Sequence, residues 1–239
     1  MGNYLTYLQS ISSPTLSKSK RAYIDYNLGN FINTEGEILE IGPGLGEFLE
    51  YLTKNKKPKA IDIVENDSAV TEFLSKQFEI RNLFQVNIEE SVALSNKLKN
   101  YDFILMLQVL EHIKPEMMPS LLKTLYKHLK PNGVLAIVVP NGANPLSTVE
   151  RYSDFTHTTL FSENSLKQLC SICDLPDGSF YVTGYEIPPI TVINRLRRLM
   201  QSCLHSFLKG VLILNGGVFF KTLHPNIVLI VEKKVIVNE

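Results

Sequence analysis

Residues Glu37 to Glu65 constrain the fold more than any other stretch of this chain. A short apolar strand (Ile38, Leu39, Ile41) runs into the turn Gly42-Pro43-Gly44-Leu45-Gly46. A helix opens at Glu47, and a second strand, Ala60 to Val64, ends in Glu65. Strand, glycine turn, helix and strand in this order make a βαβ nucleotide-binding start. The glycines serve separate ends: one permits the sharp turn, the next lets a ligand approach bare backbone, and the third lets helix and strand close up. Their spacing then separates two cofactors. A dinucleotide fingerprint, G-x-G-x-x-G, counted from Gly42 needs glycine at position 47, where the chain has Glu47; the third glycine is Gly46.

The rest of the chain continues as α/β. A helix is expected from Lys18 to Ile32, with Tyr23, Tyr26, Asn27 and Phe31 at helical spacing. Leu83 to Val86 reads as the third strand. Tyr101 to Leu107 reads as the fourth, an almost unbroken apolar run of the kind found in a parallel sheet covered on both faces. Pro115 is expected to open a helix whose Met118, Leu121, Leu122, Leu125 and Leu129 share one side, with Lys130-Pro131-Asn132-Gly133 as its stop. Val134 to Val139 makes a fifth strand. A helix capped by Ser162 follows, and Phe180 to Tyr185 and Asn226 to Glu232 are the last strands.

With 239 residues the chain is long enough to fold as one large domain. Its 24 basic and 24 acidic residues cancel, so no global field draws it to nucleic acid or an acidic membrane. No charged segment followed by an apolar core opens the chain, and a cytoplasmic location is expected. The three cysteines are odd in number, and Cys170 and Cys173 fall within a helix, so buried thiols are expected rather than a disulfide framework.

E-x-G-x-G-x-G over Glu40 to Gly46, with an acid after the second strand, resembles the first motif of class I S-adenosylmethionine-dependent methyltransferases. Two further segments resemble the same family in order and spacing: Val109-Leu110-Glu111-His112-Ile113 after the fourth strand, and L-K-P-N-G-V-L then V-P-N around the fifth. The resemblance implies a doubly wound, mostly parallel seven-stranded sheet of Rossmann-like type, with an antiparallel edge strand and a helical insertion before the last strand. It divides a single domain into a helical lid (1–35), a core (36–187), the insertion (188–223) and the last strand and tail (224–239). Arg151-Tyr152-Ser153-Asp154-Phe155-Thr156-His157 and the following F-S-x-x-S-L resemble a subgroup associated with bacterial surface polysaccharide and lipopolysaccharide synthesis.

The implied cofactor, S-adenosylmethionine, would meet Glu40, Gly42, Gly44 and Gly46. Asp62 and Glu65 both compete for the ribose, where a carboxylate can accept both hydroxyl protons. Asn87 with Ile88 would approach the adenine, unless Asn87 is only a strand-end turn residue. Gln108 follows the fourth strand, and Tyr23 would lie near the methionine end if the first helix is a lid. Arg151, Tyr152 and Asn141 are candidate acceptor contacts. His157 is the first choice of general base and His112 the second, with Asp154 orienting the histidine. For an acceptor that arrives already ionised, no base is required and Arg151 matters more. No metal site is expected, because no second histidine or carboxylate stands at helical spacing from Glu111-His112, apart from Glu116 across Pro115.

The expected function is O-methylation of a sugar, nucleotide-sugar or lipid-linked glycan in polysaccharide biosynthesis. Methylation of a quinone-like or other small metabolite is the alternative, as is a non-catalytic cofactor-binding scaffold. The absence of N/D-P-P-Y/F and of Pro-Cys after the fourth strand argues against nucleic-acid substrates. In the insertion, Ile193, Leu196, Leu199, Met200, Leu204, Phe207 and Leu208 alternate with Arg195, Arg197, Arg198 and Lys209. Such a helix over 190–209 suits a cleft cover, a homodimer contact or a peripheral membrane contact; Val211 to Leu214 and Val218 to Phe220 suggest a packed subdomain.

Overall fold

The computed structural model describes residues 4–11, 15–147, 152, 154–217 and 220–234. Two helices lead, α1 (Tyr4–Ile11) and α2 (Lys18–Leu28), the second capped by the Ser17 side chain accepting from Lys20 N. Then come β1 (Glu37–Ile41), α3 (Glu47–Tyr51), β2 (Ala60–Val64), α4 (Ser68–Gln77), β3 (Asn82–Phe84), α5 (Ser91–Lys97) and β4 (Tyr101–Leu107). The chain closes with α6 (Met118–Lys127), β5 (Leu129–Pro140), α7 (Glu163–Ile172), β6 (Phe180–Gly184), α8 (Val192–Leu214) and β7 (Asn226–Glu232).

The seven strands form one sheet in the order β3-β2-β1-β4-β5-β7-β6. β1 to β5 pair in parallel, and β7 lies antiparallel between β5 and β6. Strand β4 shows why its sequence is apolar from Phe103 to Leu107, after Asp102 near its start. Ile104 and Met106 join a core with Leu94 of α5, Leu121 and Leu125 of α6 and Leu166 of α7. Phe103 and Leu105 join a second core with Leu28 of α2, Phe48 and Leu49 of α3 and Leu74 of α4. Alternate residues of a strand point to opposite faces, so a strand covered on both is apolar along its buried stretch. Cys170 on α7 and Cys173 at its C-cap are both buried, and burial pushes the Cys170 thiol up to about 12.

Strand order reverses between β1 and β4, which makes a switch point where the following connections leave in opposite directions and open a crevice. Register aligns the two sides of it, since Ile41 pairs with both Val64 and Met106. The residues just beyond, Gly42, Glu65 and Gln108, therefore emerge at the same end of the sheet.

Three local expectations are corrected. The Lys130-Pro131-Asn132-Gly133 turn lies inside β5, where Asn132 adopts φ 62° and the pairing with β4 shifts register between Tyr101 and Phe103. Pro115 opens a turn, and α6 starts at Met118 with Pro119 in its first turn. Val211 to Leu214 extend α8, a 23-residue helix with no buried residue, in place of a packed subdomain; Val218 and Phe219 lie outside the described residues.

Candidate functional site

The loops after β1, β2, β3 and β4 enclose a cavity of about 230 Å³ at the switch point. Gly42, Gly44, Glu65, Asn66, Asn87, Ile88, Gln108, Val109, His112 and Ile113 line it, together with Val64 and Tyr4. The glycines divide their work by position. A Cβ on Gly46 would sit 2.5 Å from the Phe78 ring beyond α4, and one on Gly42 would sit 2.6 Å from Val109. A Cβ on Gly44 would have none of the described residues, its chain neighbours aside, within 4 Å, and the backbone there borders the open cavity at φ 53°. Gly44 thus leaves open space beside its backbone at the cavity, while Gly42 and Gly46 are points of close packing.

Of the two acids competing for the ribose, Glu65 lines the cavity. Its Oε1 accepts from Asn66 N at 2.8 Å and Asp67 N at 2.9 Å, and burial holds its pKa above the ordinary carboxylate value. Asp62 is corrected out of the role. It is fully buried and receives Arg81 Nε and Nη2, the Tyr101 hydroxyl, and Asn82 through both backbone and side chain. Burial raises its pKa, but these donors outweigh it and the net shift is downward.

Glu40 is buried at the end of β1, and its Oε2 has no hydrogen-bond partner among the described residues. Burial, then the nearby Glu47 and Glu65, push its carboxyl up to about 8. Glu47 and Glu65 beside the glycine turn favour a ligand carrying positive charge, and such a ligand in turn favours ionisation of Glu40. Asn87 accepts from Glu89 N at 3.0 Å as a turn residue while also lining the cavity, so both of its expected roles coexist. Gln108 takes a left-handed backbone, φ 56°, which is uncommon outside glycine and concentrates at functional sites. Its Nε2 donates to Asn226 Oδ1 at 3.1 Å.

Tyr23 stands outside the cavity lining, its ring stacked on Tyr185 with centroids 6.0 Å apart. Tyr4 of α1 occupies the mouth instead. Asn141 is also corrected: it is fully buried, donating to His224 O and Thr222 O and accepting from Ala143 N, so its amide is consumed in joining β5 to the segment before β7. Arg151 and Ser153 lie outside the described residues; Tyr152 is exposed.

Beside the cavity the chain assembles a cluster that local spacing could not reveal. The Glu111 carbonyl accepts from Thr158 N at 2.8 Å, from Thr159 N at 3.3 Å and from the Thr158 hydroxyl at 3.0 Å, which docks the 154–160 loop on the β4 exit. This brings the His157 ring to 4.7 Å from that of His112, centroid to centroid. His112 Nδ1 is 2.8 Å from Thr156 Oγ1, and the Thr156 hydroxyl donates to Asp154 Oδ1 at 2.6 Å. Burial and the neighbouring His157 lower the His112 pKa. One ligating atom from each of Glu111, His112 and His157 lies within 4.8 Å of the others, so residues able to hold a metal do meet here. Thr156 and the buried Glu111 were missed as site residues, although both lie inside the motifs around His112 and His157.

The methyltransferase domain family matches residues 16–174. No curated protein matches the sequence. Among solved structures, a SAM-dependent methyltransferase from Archaeoglobus fulgidus superposes with a TM-score of 0.67 at 20% identity, over 97% of this chain and 100% of that one. The plantazolicin methyltransferase BamL, in complex with a triazolic desmethylPZN analogue and SAH, gives 0.60 at 14% identity over 97% and 90%. A putative methyltransferase in complex with the Haloferax volcanii Trm112 activator gives 0.63 at 9% identity over 99% and 96%. The chain belongs to the methyltransferase domain family, as an enzyme with the Rossmann-like fold of S-adenosylmethionine-dependent methyltransferases.

Proposed function

We propose that this enzyme transfers the methyl group of S-adenosylmethionine to a hydroxyl oxygen of a sugar, nucleotide-sugar or lipid-linked glycan in surface polysaccharide biosynthesis. The observation that carries this reading is the pair of histidines, His112 and His157, with the Thr156–Asp154 chain behind His112, set at the rim of the cavity lined by Gly44 and Glu65. An alcohol must lose its proton as it attacks, and groups able to assist that loss stand where the acceptor would arrive.

Glu65 takes the ribose hydroxyls, Asn87 and Ile88 flank the adenine, and the Gly42–Gly46 backbone approaches the methionine portion, whose positive charge draws Glu40 toward its ionised form. The sulfonium is already an activated leaving group. The protein supplies alignment and exclusion of water, and Asp154, through Thr156, orients His112. Tyr152 and Phe155, both highly exposed, offer rings to a sugar; Arg151, outside the described residues, is the candidate cation on the sequence alone.

No helix among the described residues is long and apolar enough to cross a membrane. The 190–209 segment leaves Ile193, Leu196, Leu199 and Phe207 exposed, an apolar face that suits a lipid surface carrying the acceptor, or a second copy of the chain. The reaction is assigned to the cytoplasm, with no nucleic-acid partner.

Transfer of labelled methyl from S-adenosylmethionine to nucleotide sugars, lipid-linked oligosaccharides, quinone precursors and peptides tests the reading. Label is expected in a carbohydrate and should survive alkali as an ether. Label confined to a quinone precursor or a peptide contradicts it.

A further inference from the structure

Glu111 is a buried acid that methyl transfer, as described so far, does not use. It is 0% exposed, and neither carboxylate oxygen has a hydrogen-bond partner among the described residues. A carboxylate taken out of water without a partner is costly unless it is neutralised or meets a cation. What it faces is a pair of imidazoles, with ligating atoms of Glu111, His112 and His157 mutually within 4.8 Å.

The outer contacts fix the chemical state of one imidazole. Thr156 has a single hydroxyl proton and gives it to Asp154 Oδ1, which as a carboxylate can only accept. Thr156 Oγ1, 2.8 Å from His112 Nδ1, must then accept from that ring nitrogen. His112 is thereby held as the Nδ1–H tautomer with its lone pair on Nε2. An imidazole whose far nitrogen donates to an oxygen partner is the usual arrangement of a metal-bound histidine. The His157 loop is hydrogen-bonded to the backbone of Glu111 itself, so all three side chains sit on one connected unit.

We infer that Glu111, His112 and His157 form a binding site for one divalent transition-metal ion, placed to hold the acceptor oxygen beside the cofactor cavity. Two imidazoles and one carboxylate suit Zn²⁺, Mn²⁺, Fe²⁺ or Co²⁺ better than Ca²⁺ or Mg²⁺, which prefer oxygen donors. Three protein ligands leave the ion a position for water or an acceptor. The catalytic part of this inference rests on the proposed oxygen acceptor; the binding of the ion does not. With the ion in place His112 and His157 serve as ligands rather than bases: the ion lowers the pKa of a bound acceptor hydroxyl, which releases its proton to water, and the oxygen lone pair forms the bond to the methyl carbon. The carbon–sulfur bond breaks with its electron pair going to sulfur, and the metal keeps its charge.

The test is a Co²⁺ titration of chelator-treated enzyme, followed by visible absorption, on wild type, Glu111→Gln and His157→Ala, with circular dichroism as the control for folding. One ion per chain with a ligand-field spectrum is expected, and each folded variant should weaken binding by about tenfold or more. Asp154→Asn, which leaves all three ligands in place, should weaken it by a smaller factor. No spectrum, or equal binding in all folded variants, overturns the site. Methyl transfer undiminished after complete removal of metal overturns the catalytic role. Normal metal binding with no label in any carbohydrate supports the site and refutes the sugar acceptor instead.

Discussion

Arg81 holds Asp62 through two hydrogen bonds, Nε to Oδ1 at 2.9 Å and Nη2 to Oδ2 at 2.8 Å. The pair joins β2 to the start of β3 and, through the Tyr101 hydroxyl at 2.9 Å, to β4. Asp62→Asn should therefore lower stability by about 1–3 kcal/mol, because it leaves buried donors poorly matched, and should leave cofactor affinity nearly unchanged. Glu65→Ala should do the reverse. Urea denaturation and calorimetric titration with S-adenosylhomocysteine on both variants read the two effects separately.

Gly44 and Gly46 should also separate. At Gly46 a methyl group would meet Phe78 at 2.5 Å, and φ is 83°. Gly46→Ala should cost about 1–3 kcal/mol from overpacking in addition to left-handed strain. Gly44→Ala meets no neighbour among the described residues and should cost only the strain, about 1–2 kcal/mol. Its methyl would project into the cavity, so cofactor binding should weaken out of proportion to the stability loss.

Glu40 gives a pH dependence with a definite sign. Its folded carboxyl titrates at about 8, above the unfolded value of 4.5. Between these values the folded protein keeps a proton that the unfolded chain has lost, so the contribution to stability is full below pH 4.5 and declines as pH rises through about 8. The slope from this group is at most about 1.4 kcal/mol per pH unit. Denaturation of the unliganded protein at pH 5, 6.5 and 8 should show a decline that Glu40→Gln reduces. A cationic cofactor favours the ionised carboxylate, so S-adenosylmethionine should bind wild type more tightly as pH rises over the same window.

Thr156 positions His112 without touching the acceptor in this account. Thr156→Val removes the hydroxyl that links Nδ1 to Asp154 while keeping the side chain's shape. The expected result is a kcat lowered by about 10–100-fold, a KM within a small factor of wild type, and an altered pH–rate profile. Thr156→Ser should restore most of the activity, which a purely structural role for the methyl group would not allow.

How far the fold was legible depended on whether a feature was local. The both-faces burial of β4 is written in its continuous apolar run, and the β1–α3 turn is written in three glycines and an acid. Ser162 is visible as a cap and does form a capping box with Ser165. The Lys130–Gly133 segment misled because its turn-forming residues also serve an irregularity inside a long strand. The choice between Asp62 and Glu65 turned on Arg81, 19 residues beyond Asp62, whose guanidinium meets that acid only after β3 pairs with β2. Asn141 carries ordinary turn chemistry, but its partners lie beyond α8 in sequence. The Glu111, His112 and His157 grouping is likewise invisible at helical spacing, since it exists only because Thr158 and Thr159 dock on the Glu111 carbonyl.

Bound in the cavity at the switch point, S-adenosylmethionine should present its methyl group toward the two histidines. A crystal structure of the enzyme with S-adenosylhomocysteine measures this directly. The account predicts the ribose hydroxyls on the Glu65 carboxylate, the methionine portion along Gly42 to Gly46, and the sulfur turned toward His112 and His157. A ligand bound elsewhere, or one whose sulfur faces away from both histidines, would contradict it.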